Sequence, residues 1–173
     1  METHQANFQA YQRALGDFGV KLKFDNFKTT IGQQARDFLP MLAPDLSDEQ
    51  LRQVADHKAV YYKVLMHTSQ ANELLISFMR QMGADHTIAL VTTAKRRNLD
   101  AVLHHHGLAD DFDVIVCAED VTRSKPDPEA YQLALKLTGL QSHEVIAFED
   151  SVSGVTAAEA CGIAVVQIND FAL

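Results

Sequence analysis

"VIAFEDSVSGVTAAEACGI", residues 145–163, decides how this chain is read. A run of apolar residues ends in two adjacent carboxylates, Glu149 and Asp150. Ser151 follows, then a helix of small residues that stops at Gly162. Adjacent acids at the end of a buried strand repel each other and lose hydration, so they need a cation.

Outward from that stretch the same alternation recurs. "HTIALVT" (86–92), "FDVIVCA" (112–118) and "IAVVQI" (163–168) read as further buried strands. "NELLISFMRQMG", "RNLDAVLHHHG" and a segment opened by Asp127 and Pro128 read as helices between them. Alternating strands and helices predict a parallel sheet with right-handed crossovers and helices on both faces. Ligands of such sheets sit at the carboxyl ends of the strands.

Three strand ends then line up. "LVTTAK" brings Thr92 and Thr93, "RSKPDP" brings Lys125, and "FED" brings Glu149 and Asp150. Hydroxyls and an ammonium suit phosphate oxygens, and the carboxylates suit Mg²⁺, which takes a few carboxylates plus water and phosphate. Each residue also has a plainer reading. Thr92 and Thr93 can cap the following helix, Lys125 can be a solvated loop charge, and Lys95 and Arg96 can touch phosphate or face solvent. His104, His105 and His106 point about 100° apart on a helix and do not converge on one ion. They suit a helix carboxyl terminus instead.

Before residues 67–72, "HTSQAN", the periodicity is helical throughout. The expected division is a helical part over 1–68 and an α/β part over 69–173. "NFQAYQRALGDFG" is one helix, closed by Gly19. "NFKTTIGQQARDFL" is a second, ending before Pro40. Ser47 and Gln50 form a capping box for a third, with Leu51, Val54, Tyr61, Tyr62 and Leu65 on one stripe.

The 173 residues, 47% hydrophobic and 22% charged, support a substantial core. A net charge of -8 argues against a nucleic-acid backbone as partner. No apolar stretch is long enough to span a bilayer. Cys117 and Cys161 read as buried reduced thiols, and a cytoplasmic location is the default.

These motifs resemble those of the haloacid-dehalogenase-like superfamily of phosphotransferases. The subgroup is the one with β-phosphoglucomutase and phosphoglycolate phosphatase. "ALVTTAK" resembles its second motif, "RSKPDPEAY" its third and "IAFEDSVSGVTAAEACG" its fourth. Residues 5–66 resemble the helical cap that closes over substrate. The resemblance implies a Rossmann-like core with an N-terminal helical cap. It also implies Mg²⁺-dependent phosphoryl transfer on a small phosphorylated metabolite. Thr92, Thr93, Lys95 and Lys125 would bind phosphate, with Asp150 and Glu149 on the metal. Lys58 and Arg36 lie where related mutases carry substrate-facing residues, although a solvated helix face suits them too. Asn7 stands where the mutases have a His, which favours a phosphatase.

The resemblance also implies a gap. In the family, a strand ending in Asp-x-Asp precedes the first cap helix and supplies the nucleophile. Here that helix begins almost at Met1. Asp25 in "KFDNFKT" outlines the motif, but Phe27 replaces the second Asp and no apolar strand precedes it. Its plainer role is to cap the helix that follows. Glu149 and Asp150 are thus half of a metal site, and the chain alone is expected to have negligible phosphoryl-transfer activity. A non-catalytic protein that binds a phosphorylated ligand or a partner is the alternative. The family's missing strand is central, and "INDFAL" stops where the family adds further strand and helix. The expectation is that the flanking strands pair directly, or that another chain fills the gap, as in a homodimer that exchanges strands. Otherwise the domain is poorly folded, because each unpaired buried backbone group costs about 1–3 kcal/mol.

Overall fold

The computed structural model describes residues 3–31 and 33–168. The chain forms two compact units, one up to Gln70 and one from Ala71 onward.

The first unit is helical, with α1 (His4–Gly16), α2 (Phe24–Lys28), α3 (Ala35–Leu42) and α4 (Asp48–Val64). The Ser47 side chain accepts from the Gln50 N–H while the Gln50 side chain accepts from the Ser47 N–H, so the capping box is present. Leu15 and Val54 are fully buried in a core with Tyr11, Phe27, Phe38 and Leu39. The Phe38 ring meets Tyr11 edge-on at 5.3 Å. The single helix expected over "NFKTTIGQQARDFL" is instead two. Thr29 and Thr30 turn their hydroxyls back onto the Asn26 and Phe27 carbonyls, which competes with helix continuation. α3 then runs through Pro40 and ends two residues later, so the N–H that proline lacks is lost near the helix end. Asp25 lies in the first turn of α2, whose cap position is Lys23 with no side-chain cap bond. Asp25 therefore does not cap; its charge suits the helix amino terminus.

The second unit alternates as expected. Its elements are α5 (Glu73–Met82), β1 (Ala89–Val91), α6 (Arg96–His105), β2 (Val114–Val116), α7 (Glu129–Thr138), β3 (Ile146–Glu149), α8 (Val152–Glu159) and β4 (Ala164–Gln167). The Asn72 side chain accepts from the Leu75 N–H to open α5, and Asp127 accepts from the Glu129 N–H at the start of α7. α7 stops at Gly139, whose left-handed φ of 73° suits glycine. Ala157 and Ala158 of α8 are fully buried, and such small side chains let the helix approach β3 and β4 closely. None of the described helices is long and apolar enough to cross a membrane.

The strands depart from the expected single sheet. β1 pairs in parallel with β2, and β3 with β4, but among the described residues the two pairs do not bond to each other. Direct pairing of β1 with β3, one of the expected closures, does not occur. One face of β3 is also open. Ala147 is buried on the helix side, whereas Ile146 is 61% and Phe148 41% exposed. Phe148 meets Phe78 of α5 at 5.8 Å, yet α5 buries none of its residues fully. Helices on both faces were the expectation; only one face of β3 is well covered.

Candidate anion and metal site

Lys125 is the centre of the site. Its ammonium donates to the Val91 carbonyl at 3.1 Å, the last residue of β1. It also pairs with the Glu149 carboxylate, the last residue of β3. Both side chains are buried, at 5% and 7% exposed. The carboxyl ends of β1 and β3 therefore meet at one cation. The solvated-loop reading of Lys125 does not hold.

Tyr131 completes the arrangement. Its hydroxyl donates to the same Glu149 oxygen, and its ring lies 4.8 Å from the Lys125 ammonium. Burial and the adjacent Glu149 charge push the Tyr131 hydroxyl far above its usual range, so it stays a proton donor. Gly154 lies against Glu149 from α8. The N–H of Gly154 donates to Ser151 Oγ at 3.0 Å, which caps that helix. Sequence reasoning gave Tyr131 and Gly154 no role. The signal was available in "SKPDPEAY" and in the glycine five residues after Glu149, but only the fold shows that both touch the carboxylate.

The other expected residues are partly gathered. Thr92 follows β1 directly, and its Oγ1 accepts from the Ala94 N–H at 3.1 Å, which leaves its hydroxyl hydrogen to donate. Neither Thr92 nor Thr93 caps α6, whose cap position is Lys95. Lys95 is exposed there. The Arg96 N–H donates to Glu119 and its guanidinium lies 3.6 Å from Asp120. Lys58 and Arg36 belong to the helical unit. Arg36 is exposed, 3.6 Å from Asp37. Lys58 is 4% exposed, with its ammonium 3.8 Å from the Tyr62 ring centre. The solvated-face reading of Lys58 is corrected: it shares a four-residue spacing with Val54 and Tyr62 on the buried stripe of α4.

For a metal, the donors are few. Asp150 is exposed at the end of β3. One Glu149 oxygen is taken by Lys125 and Tyr131, and the other lies 3.5 Å from Ser151 Oγ. Among the described residues no three His, Cys, Asp or Glu gather as a ligand set. Asp150 is the one exposed carboxylate of the pair, a donor set that suits a largely hydrated Mg²⁺ and not an ion caged by protein.

The approach to Lys125 is fixed by Glu129. Its carboxylate accepts from the Thr122 and Arg123 N–H groups, each at 2.8 Å, and from the Thr122 hydroxyl at 2.9 Å. Those backbone donors pull the Glu129 carboxyl down to about 2. A depressed folded-state value adds stability above the unfolded value of 4.5, and that stability is lost as pH falls towards 2. Glu129→Gln is therefore expected to lower the urea midpoint at pH 7, with the gap to the parent chain closing between about pH 4.5 and 2. Circular dichroism across that range checks it, and a gap independent of pH would contradict it.

Comparisons with known proteins give the chain's family and fold. The chain is 31% identical to the phosphorylated carbohydrates phosphatase of Thermotoga maritima, over 94% of this chain and 77% of that protein. It is 24% identical to the fructose-1-phosphate phosphatase YqaB of Escherichia coli, over 97% and 90%. Among solved structures, β-phosphoglucomutase of Clostridium difficile superposes with a TM-score of 0.84 at 20% identity, over 98% of this chain and 79% of that one. CbbY of Rhodobacter sphaeroides, in complex with phosphate, gives 0.84 at 20% identity, over 96% and 80%. A family profile described as haloacid dehalogenase-like hydrolase matches residues 1–168, and with the ammonium–carboxylate centre in place at the strand ends, the chain belongs to that family.

Proposed function

We propose that this chain is a scaffold for Mg²⁺-dependent handling of a small phosphorylated carbohydrate, a phosphatase rather than a phosphomutase. The observation that carries the reading is the Lys125 ammonium, bonded at the ends of both β1 and β3 beside Thr92. An ammonium held there offsets phosphate charge, and the Thr92 hydroxyl donates to a phosphate oxygen. Mg²⁺, when bound, neutralises phosphate charge from the Asp150 side. Glu149 acts as the counter-charge that keeps Lys125 in place. Asn7 supports the phosphatase reading, and two free thiols accord with a cytoplasmic setting. Lys58 and Arg36 are the helical unit's proposed substrate contacts.

We propose further that residues 3–168 bind phosphate without turning it over. Among the described residues the partners of the Lys125 ammonium are Val91, Glu149 and the Tyr131 ring, with no aspartate among them, which supports this reading. Losing a nucleophile costs on the order of 10⁶ in turnover in a serine protease. Calorimetry with fructose 1-phosphate and Mg²⁺ should show binding that Thr92→Val weakens about tenfold, the value of one hydrogen bond to a charged group. A colorimetric phosphate assay on the same sample should stay at background. Absence of binding would sink the scaffold reading. Turnover abolished by Asp150→Ala would sink the inactive one.

A further inference from the structure

The Lys125 ammonium carries three N–H donors. One goes to the Val91 carbonyl and one to Oε1 of Glu149. Among the described residues the third has no hydrogen-bond partner, so a phosphate held there takes it first. The phosphate and the Glu149 carboxylate then compete for one positive charge, and the ammonium is drawn away from Glu149. That leaves Glu149 exposed to a penalty. Its side chain is only 7% exposed, and a buried carboxylate that loses its cation is strongly disfavoured. It has no room to withdraw towards α8, where Gly154 lies against it.

Tyr131 is placed to offset that loss. Its hydroxyl donates to the same Glu149 oxygen that Lys125 holds. Burial and the neighbouring carboxylate keep the hydroxyl protonated, so it stays a donor as the ammonium shifts. The ring is fixed in a buried cluster with Ala147, Ala157, Ala158 and Ile163. A phenylalanine would fill that cluster as well, so packing alone does not call for the hydroxyl. A hydrogen bond to an ionised acceptor is about twice as strong as a neutral one. It strengthens further in a buried site when the competing donor withdraws.

On the reading that Lys125 holds phosphate, we propose that Tyr131 is a positioning residue of the anion site. Its hydroxyl shares Glu149 with Lys125 and takes over that carboxylate when phosphate draws the ammonium away. Tyr131 thus sets anion affinity by acting through Glu149, not on the anion itself.

The test titrates the full chain with inorganic phosphate at fixed Mg²⁺, with affinity read by calorimetry. Tyr131→Phe should weaken binding about threefold. That is a fraction of the worth of one hydrogen bond to a charged group, because the bond exists in the free chain and only strengthens on binding. In a Glu149→Gln background no charge is left to take over, so Tyr131→Phe should leave affinity unchanged there. A second measurement needs no variant to fold. In the parent chain, the Lys125 ¹⁵Nζ and Tyr131 ¹³Cζ resonances should move together along one phosphate saturation curve. An equal loss from Tyr131→Phe in both backgrounds would mark a general packing role and overturn the proposal. So would a Tyr131→Phe chain that binds phosphate as tightly as the parent. So would a Tyr131 resonance that stands still while that of Lys125 moves. A parent chain that binds no phosphate would overturn the Lys125 reading and the proposal with it, an outcome distinct from the other three because the parent titration alone shows it.

Discussion

Lys125→Met is expected to cost this chain about 3–5 kcal/mol, the usual loss when one partner of a buried ion pair is removed. Methionine keeps most of the volume, so the loss is chiefly electrostatic. The Glu149 carboxylate, 7% exposed, would keep the Tyr131 hydroxyl but lose its only buried cation among the described residues. Val91 would also lose a donor to its carbonyl. The double change Lys125→Met with Glu149→Gln should recover more than half of the loss. Glutamine is neutral and still accepts from Tyr131, and a buried pair replaced as a whole costs little. Urea unfolding followed by circular dichroism measures both, since the chain has no tryptophan. A single-variant loss below about 1 kcal/mol would place the pair in the range of solvated surface bridges. The centre described above would then be wrong.

How much of this was legible beforehand depends on whether a feature is local. The strand, acids and helix of residues 145–163 were readable because apolar run, Ser cap and closing glycine lie next to one another in the chain. The Ser47 capping box was readable for the same reason. The split between α2 and α3 was not, because Thr29 and Thr30 suit helix and turn alike until their hydroxyl partners are known. Lys58 was misjudged for a different reason. Lysine is rarely buried, yet its position between Val54 and Tyr62 on one stripe signalled that it is. The partnership of Lys125, Glu149 and Tyr131 spans residues far apart in sequence. That Lys125 and Glu149 gather at the strand ends was expected; that they bond directly, with Tyr131 on the same oxygen, no local pattern encodes. The open edges of β1 and β3 were expected only through the family resemblance: by composition such apolar strands read as buried on both sides, and the pairing leaves one side of each unmatched among the described residues.

Gly154→Ala tests the seat of Glu149 from the other side. Residue 154 lies in the first turn of α8, so by intrinsic propensity alanine should stabilise it by up to about 1 kcal/mol. Packing predicts the opposite sign. A Cβ there would sit 2.5 Å from one Glu149 carboxylate oxygen and closer still to the other. The carboxylate has no easy retreat, because Lys125 and Tyr131 hold it. Overpacking of this kind costs about 1–3 kcal/mol, which outweighs the helical gain, so the variant should be less stable overall. The decisive comparison places the same change in a Lys125→Met, Glu149→Ala background. With the carboxylate gone, the helical preference is left alone and Gly154→Ala should become neutral or stabilising. Residues in contact show such coupling, whereas independent sites add. Equal effects in the two backgrounds would mean that Gly154 does not touch Glu149, and a stabilised single variant would mean that the carboxylate is free to move. The inversion of sign is the outcome that a glycine retained only for helix flexibility would not produce.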